Sequence, residues 1–488
     1  MLNVSDLTVQ YGQLNIVNNV SFSIEKGKIL GIAGASGSGK TTLALAIPGL
    51  LSGQATVQGH LTIGSSSFSL RDAHQLAAVR GKKIGFVFQE PFSSLNPVIT
   101  CGQQIAETIA LHLGTNPQDT RDLVAQWLQK VQIQDVERTI NAFPHELSGG
   151  QLQRIMIAMA LCGQPEVLIA DEPTTALDVT VQKSVLDLLK NLQQELQLTM
   201  LLVSHDTKVL RYMCDHIATM EQGHIQTIVP VQEVATPDQV THTPPAANAN
   251  AKPIFEHPGI TVTYPKKRNF WGKPKQWFSA VDQVPVRVYA GECLGIVGES
   301  GSGKTSLGKA IAEKNGFATG GTVIIDQHPA SALNPSMRIG DALFETVQHF
   351  SPLLDREAAR QRVVQLLEWV ELPEEMYHRY PSQLSGGQKQ RVCIARALSA
   401  NPTLLICDEI VSGLDPVNQQ AVLQLLKNLQ HQHQCAIVFI THDLDIVRQI
   451  SDRIMVLHQG ILQEEQTTEM LFEQPAQPYT RTLLAARL

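Results

Sequence analysis

The chain has 488 residues, 43% hydrophobic and 17% charged, with a net charge of −7. That length suits two or three globular domains, and the acidic balance gives no reason to expect nucleic acid as the main partner. Seven cysteines form no C-x-x-C pair and point to a reducing compartment without disulfides; the first residues show no basic-then-apolar leader, and no apolar run approaches the roughly 20 residues that span a bilayer.

In chain order, Tyr11 comes first as an aromatic placed to stack on a base. The apolar strand Ile29-Leu-Gly-Ile32 then leads into Gly34-Ala-Ser36-Gly37-Ser-Gly39-Lys40-Thr41-Thr42 and a helix. G-x-x-x-x-G-K-[ST] between a strand and a helix is a phosphate cradle: the glycines let backbone N–H groups turn toward an anion, and the helix start adds partial positive charge. Residues 51–83 are expected to build a small antiparallel layer near the nucleotide base, and Gln89 follows. Ser148-Gly149-Gly150-Gln151 opens a helix, with serine as its cap and glycines that admit a phosphate. The run Val167–Ala170 delivers Asp171 and Glu172 to a strand's C-terminal end, where ligands of parallel sheets bind. Leu201-Leu-Val203 leads to His205.

The pattern then weakens, and 241–253 (THTPPAANANAKP) reads as a linker between a domain at 1–240 and another at 254–488. Thirteen extended residues reach about 40 Å, enough for the halves to lie face to face. The second half repeats the first. Tyr264 precedes Cys293-Leu-Gly-Ile296 and Gly298-Glu-Ser300-Gly301-Ser-Gly303-Lys304-Thr305-Ser306, followed by Gln327, Ser385-Gly386-Gly387-Gln388, Asp408-Glu409 and His442. The serine, aspartate and histidine motifs all recur at one offset, 237 residues. The lysines stand 264 apart and the glutamines 238, so the second half lacks 26 residues between them. Only Gly320–Asp326 remains where the antiparallel layer belongs. An insert from Lys266-Lys-Arg268 through Trp271 to Trp277 mixes basic and aromatic residues. Its plain reading is an exposed loop; the sharper one is contact with lipid headgroups or a membrane-bound partner. Buried-type strands alternating with helical segments indicate α/β domains with a mainly parallel sheet covered on both faces.

Phosphate loop, glutamine, L-S-G-G-Q, D-E and histidine, in that order and twice over, resemble a fused pair of ABC transporter ATPase domains, and the likeness spans nearly the whole chain. The fold it implies is two tandem P-loop NTPase domains, each with a helical subdomain, with the antiparallel layer shortened in the second. Gln89–Pro97, Gln327–Pro335 and Gln477–Leu484 are similar to the peptide and nickel importer subfamily. The cysteine cluster near the C-terminus of some relatives has no counterpart, so no iron–sulfur centre is expected.

The resemblance implies ATP and Mg²⁺ as ligands. Lys40 and Lys304 reach the β/γ-phosphates. Thr41, Gln89 and Asp171, with Thr305, Gln327 and Asp408, hold the metal directly or through water. Glu172 and Glu409 polarise the attacking water, His205 and His442 sense the γ-phosphate, and Gln89 and Gln327 relay the state of the site. Tyr11 and Tyr264 take the adenine. The halves pair within one chain, each loop completed by Ser385 or Ser148 of the other half. The implied function is the ATP-hydrolysing subunit of an importer for oligopeptides, with nickel or a metal chelate as alternative cargo. It would sit peripherally at the cytoplasmic face of the membrane with two permease subunits and, indirectly, a substrate-binding protein. The short Pro/Ala/Asn-rich linker argues against a fused ATPase acting on the ribosome. The absence of zinc cysteine pairs and coiled-coil insertions argues against a DNA-repair ATPase. Pro173 has Ile410 as its counterpart, yet both glutamates persist, so neither site reads as dead.

Overall fold

Leu2–Tyr11 alternates buried Leu2, Val4, Leu7 and Val9 with more exposed residues, the two-residue period of a strand with one dry face; the phase slips at Asp6, whose φ of 55° marks a bulge. It is β1 of a computed structural model that describes every residue except 176, 235–251, 269–273, 317–320, 327–331 and 488, and the side chains of 266–268 and 274–276. The chain forms two compact units, Met1–Leu177 with Val181–Pro237, and Asp178–Thr180 with Asp238–Arg487.

In the first unit, β1 pairs antiparallel with β2 (Leu14–Ile24) and β4 (Ala55–Ile63), and β5 (Ser66–Ser69) completes a four-stranded sheet, β2-β1-β4-β5. A second sheet has the order β10-β9-β3-β8-β7-β6. Its strands β3 (Ile29–Ala33), β6 (Ile84–Val87), β7 (Val167–Asp171), β8 (Thr199–Val203) and β9 (His216–Glu221) are parallel, and β10 (His224–Pro230) returns antiparallel. Every residue of β7 and β8 is buried. Their Val/Leu/Ile runs have no polar phase because neither face meets water. Helix α1 (Lys40–Ala46) follows β3. Further along come α2 (Ala73–Val79), α3 (Pro91–Ser94), α4 (Cys101–Leu113), α5 (Pro117–Lys130), α6 (Val136–Asn141), α7 (Gly149–Leu161), α8 (Val179–Leu196) and α9 (Thr207–Met213). The helical group α4–α7 shares one apolar cluster with the sheet, in which Ile105, Trp127 and Ile155 join Leu168 and Leu202.

The second unit keeps the parallel core. Its six-stranded sheet runs β14-β15-β16-β13-β17-β18, built from β13 (Cys293–Val297), β14 (Thr322–Ile325), β15 (Leu404–Asp408), β16 (Ala436–Ile440), β17 (Arg453–His458) and an antiparallel β18 (Ile461–Thr467). Its helices are α10 (Lys304–Asn315), α11 (Ile339–Phe350), α12 (Arg356–Trp369), α13 (Gly386–Leu398), α14 (Pro416–His433), α15 (Leu444–Ile450), α16 (Thr468–Glu473) and α17 (Pro478–Ala485).

Two expectations fail against this fold. The stretch 320–326 is not what remains of the antiparallel layer. Its described part, β14, pairs parallel with β15 just as β6 pairs with β7, so the deletion removes β4, β5 and α2 and spares the parallel sheet. What stands beside the core instead is a two-stranded hairpin, β11 (Pro253–Arg268) and β12 (Pro274–Tyr289). The basic-aromatic insert is accordingly an extension of these two strands rather than a loop along its whole length. Trp277 and Phe278, 61% and 51% exposed, lie on β12, while Trp271 and the linker stretch 241–251 lie outside the described residues.

Candidate nucleotide site

Strands β3 and β13 each end in a glycine-rich loop whose geometry depends on having no side chain. Gly39 and Gly303 cap the following helices at φ 101° and 98°, a left-handed backbone. A Cβ on Gly303 would fall 2.2 Å from the Ala280 carbonyl oxygen, and one on Gly39 2.8 Å from that of Ile16. Backbone, not a movable side chain, occupies the space. Gly303→Ala is therefore expected to destabilise the second unit by roughly 1–3 kcal/mol and to abolish nucleotide binding at that loop. Calorimetry and a nucleotide titration check this; an unchanged melting curve would contradict it. Gly37 and Gly301 have nothing near a would-be Cβ, and Ser36 and Ser300 are exposed beside them.

The lysines lie across their own loops. Lys40 Nζ donates to the carbonyls of Gly34 (2.8 Å) and Ala35 (2.9 Å); Lys304 Nζ donates to those of Gly298 and Glu299, both at 2.8 Å. Burial lowers the Lys304 pKa, with the Glu409 and Asp408 carboxylates opposing. Thr41 Oγ1 donates to Asp171 Oδ1 at 3.3 Å. Burial pushes the Asp171 carboxyl up to about 6 against the pull of that bond, and raises Asp408 too, against Thr305. Asp408 Oδ1 is buried without a hydrogen-bond partner. A hydroxyl beside a buried carboxylate is a hard-oxygen set that suits Mg²⁺, and a bound cation would satisfy the orphaned oxygen and favour the ionised acids. Thr42 and Ser306 follow on the same helices, half-buried.

Each acidic residue that follows is turned by the backbone. Glu172 and Glu409 have φ of 45° and 49°, left-handed for non-glycine residues. Their N–H groups donate to Val203 O and Ile440 O, both at 2.9 Å. Three groups meet the Glu172 carboxylate at 2.9 Å: His205 Nδ1, Gln89 Nε2 and Thr175 Oγ1. Burial works to raise this carboxyl, but the bond and charge of His205 and the Thr175 hydroxyl outweigh it, and its pKa falls. His205 is raised, first by its bond to Glu172. In the second unit His442 Nδ1 lies 3.2 Å from Glu409 Oε1; burial disfavours its charged form, yet Glu409 raises its pKa on balance. Gln327 lies outside the described residues.

Ser148 caps α7 and Ser385 caps α13 in matching capping boxes. Each serine Oγ accepts from the glutamine three residues on (Gln151 N, 3.4 Å; Gln388 N, 3.3 Å), and each glutamine Oε1 accepts the serine N–H. Gly150 and Gly387 pack too closely for a side chain, with would-be Cβ atoms 2.5 Å from Val181 and 2.8 Å from Asn418, whereas Gly149 and Gly386 have only ordinary contacts. Tyr11 packs half-buried against the core at the end of β1. Tyr264 is 47% exposed, with its hydroxyl 3.4 Å from Ser306 Oγ.

The structure thus brings Lys, Thr, Asp, Glu and His together at the C-terminal ends of parallel strands in each unit, and adds Gln89 in the first. Thr175 was missed from sequence. Its place three residues after Glu172, on the turn that a left-handed Glu172 opens, was the available signal.

A model described as ABC transporter matches residues 17–175 and 281–412. The chain is 36% identical to the uncharacterized ABC transporter ATP-binding protein YejF of Escherichia coli, over 96% of this chain and 95% of that one. It is 36% identical to the peptidoglycan transport ATP-binding protein YejF of Agrobacterium fabrum, over 100% and 96%. It is 34% identical to the glutathione import ATP-binding protein GsiA of Escherichia coli, over 100% and 89%.

Proposed function

The chain belongs to the ABC transporter family and is an ATP hydrolase, and from that premise we propose that it powers import of oligopeptides or dipeptides. The observation that carries the reading is the pair of matched clusters, Lys40–Thr41–Asp171–Glu172–His205 and Lys304–Thr305–Asp408–Glu409–His442, each at the C-terminal ends of one sheet's parallel strands. Relatives named for glutathione import and peptidoglycan transport support a peptide-bearing cargo.

In this reading the loops and lysines bind the triphosphates, and Tyr11 and Tyr264 support the bases. Thr41 and Asp171, and Thr305 and Asp408, hold Mg²⁺, which when bound neutralises charge on the phosphates. Glu172 and Glu409 accept the proton of the attacking water, oriented by His205 and His442, and Gln89 and Gln327 report on occupancy. The Ser148–Gln151 and Ser385–Gln388 helix starts engage the γ-phosphate.

No helix among the described residues is long and apolar enough to cross a membrane. On this reading the cargo path belongs to two permease subunits, with this chain peripheral on the cytoplasmic side and a binding protein choosing the ligand. Purification from detergent-solubilised membranes, followed by ATP turnover with candidate ligands, tests it. Co-purification of a permease and stimulation by short peptides are expected. Stimulation by nickel chelates alone, or recovery with ribosomes instead of a permease, would overturn it.

A further inference from the structure

The C-terminal segment contributes a group to the second phosphate loop. After β18, α16 and α17 pack on the unit through Leu471 and Leu483, which share an apolar cluster with Val297, the last residue of β13 before the loop. Glu464 fixes the entry to α17 by accepting from the Ala476 and Gln477 N–H groups at 2.7 and 3.0 Å. Arg487 pairs with Asp445 on α15. This anchoring delivers Tyr479 to the loop. Its hydroxyl accepts from the Glu299 N–H at 3.4 Å. Its ring lies on His458 at the end of β17, with centroids 4.0 Å apart and planes at 33°. His458 Nδ1 in turn stands 3.9 Å from the Glu299 carboxylate. Glu299 is the second residue of the loop, and its carbonyl also accepts from Lys304 Nζ.

We propose that Tyr479 is a positioning residue for the second nucleotide site, holding the phosphate loop in its binding shape from outside. Two contacts reach Glu299, one from a helix and one from a strand end, and the Tyr479–His458 ring pair links them; Tyr479 is half-buried, so its partners are fixed by packing rather than by chance approach. Its phenol, pushed up to about 12 chiefly by burial, stays protonated at neutral pH, and the oxygen keeps a lone pair for the Glu299 N–H. The first loop is built differently: its residue at the place of Glu299 is Ala35, and the residue matching His458 is Glu221. Tyr479 therefore tunes one site without touching the other, a built-in asymmetry at the level of the loop itself.

The inference rests on the reading that the loop at Gly298–Thr305 binds a triphosphate. The test uses the full chain in two backgrounds, Lys40→Ala to isolate the second site and Lys304→Ala to isolate the first. Binding of a fluorescent ATP analogue is measured with Tyr479→Phe, which keeps the ring and loses the hydroxyl, and Tyr479→Ala. At the second site Kd is expected to rise about threefold for Phe and about tenfold for Ala, the scale of one hydrogen bond and then its packing. The first site should be unchanged, and the Phe variant should melt with the parent. Second-site Kd unchanged in both variants, or weakened equally at both sites, would overturn the proposal, as would a loss that follows the melting temperature alone. An absence of any binding in the Lys40→Ala background with Tyr479 intact would instead defeat the reading of the second site.

Discussion

Glu172→Gln is expected to cut ATP turnover by about 10²-fold or more while leaving nucleotide affinity nearly as it was. The cause lies in the carboxylate's neighbours. His205, Gln89 and Thr175 each present a donor to it at 2.9 Å. That constellation stabilises the anion, which is the form a base must have before it takes a proton. It also orients the anion, since two donors meet Oε2 and one meets Oε1. Glutamine has the same shape but cannot take the proton, and its amide NH₂ faces donors where an acceptor is required. The loss therefore falls on kcat, and Kd moves little because the carboxylate carries none of the phosphate contacts.

The size of the effect separates two modes of working. If each site fires alone, removing one base leaves about half the turnover; if the sites fire only together, either Glu172→Gln or Glu409→Gln costs the full 10²-fold. The Glu409 site has the same histidine partner at 3.2 Å and the same left-handed turn, so the matched collapse is the expected outcome. Steady-state phosphate release on both variants decides it. An unchanged rate for Glu172→Gln would remove that residue from the chemistry.

The parts of this fold that were legible in the sequence are those whose cause is local. Val167–Ala170 and Ala436–Ile440 read as buried strands because a strand dry on both faces has no polar phase to obscure it. The phosphate loops were legible because an ordinary turn rarely combines that many glycines with a lysine at the fixed spacing, between a strand and a helix. What escaped depended on distant partners or broken periodicity. The Gln89–Glu172 bond joins residues 83 apart, and no local pattern says where Gln89 turns. Strand β14 is four residues long, too short to announce its sheet, and only its parallel pairing with β15 shows that the deletion took β4, β5 and α2 and left the parallel sheet intact. The β11–β12 arms carry Pro258, Pro265 and Pro274 together with a basic run, which reads as loop; proline is tolerated there because few strands demand its missing N–H. Tyr479 lies 180 residues from the loop it touches.

Lys40→Ala and Lys304→Ala should each cost their own site on the order of 10- to 100-fold in affinity, the worth of one charge-assisted hydrogen-bonding group, but the binding that survives should differ between them. Lys304→Ala leaves the first site. There Tyr11 packs against the apolar cluster that includes Val9 and Leu61, at the end of β1 in a four-stranded antiparallel sheet. Lys40→Ala leaves the second site, whose Tyr264 is 47% exposed on a hairpin of two strands. An aromatic platform for a base is worth about 1–3 kcal/mol when it is held in place. A ring that must be ordered on binding returns part of that as lost side-chain freedom. The first site is therefore expected to bind about three- to tenfold more tightly than the second. Isothermal titration should give one nucleotide per chain in each variant, and equal dissociation constants would mean that the shortened layer does not weaken the second site. Removing the ring of Tyr11 assigns the difference to base support if it levels the two affinities: Tyr11→Ala in the Lys304→Ala background should bring the first site down to the level of the second.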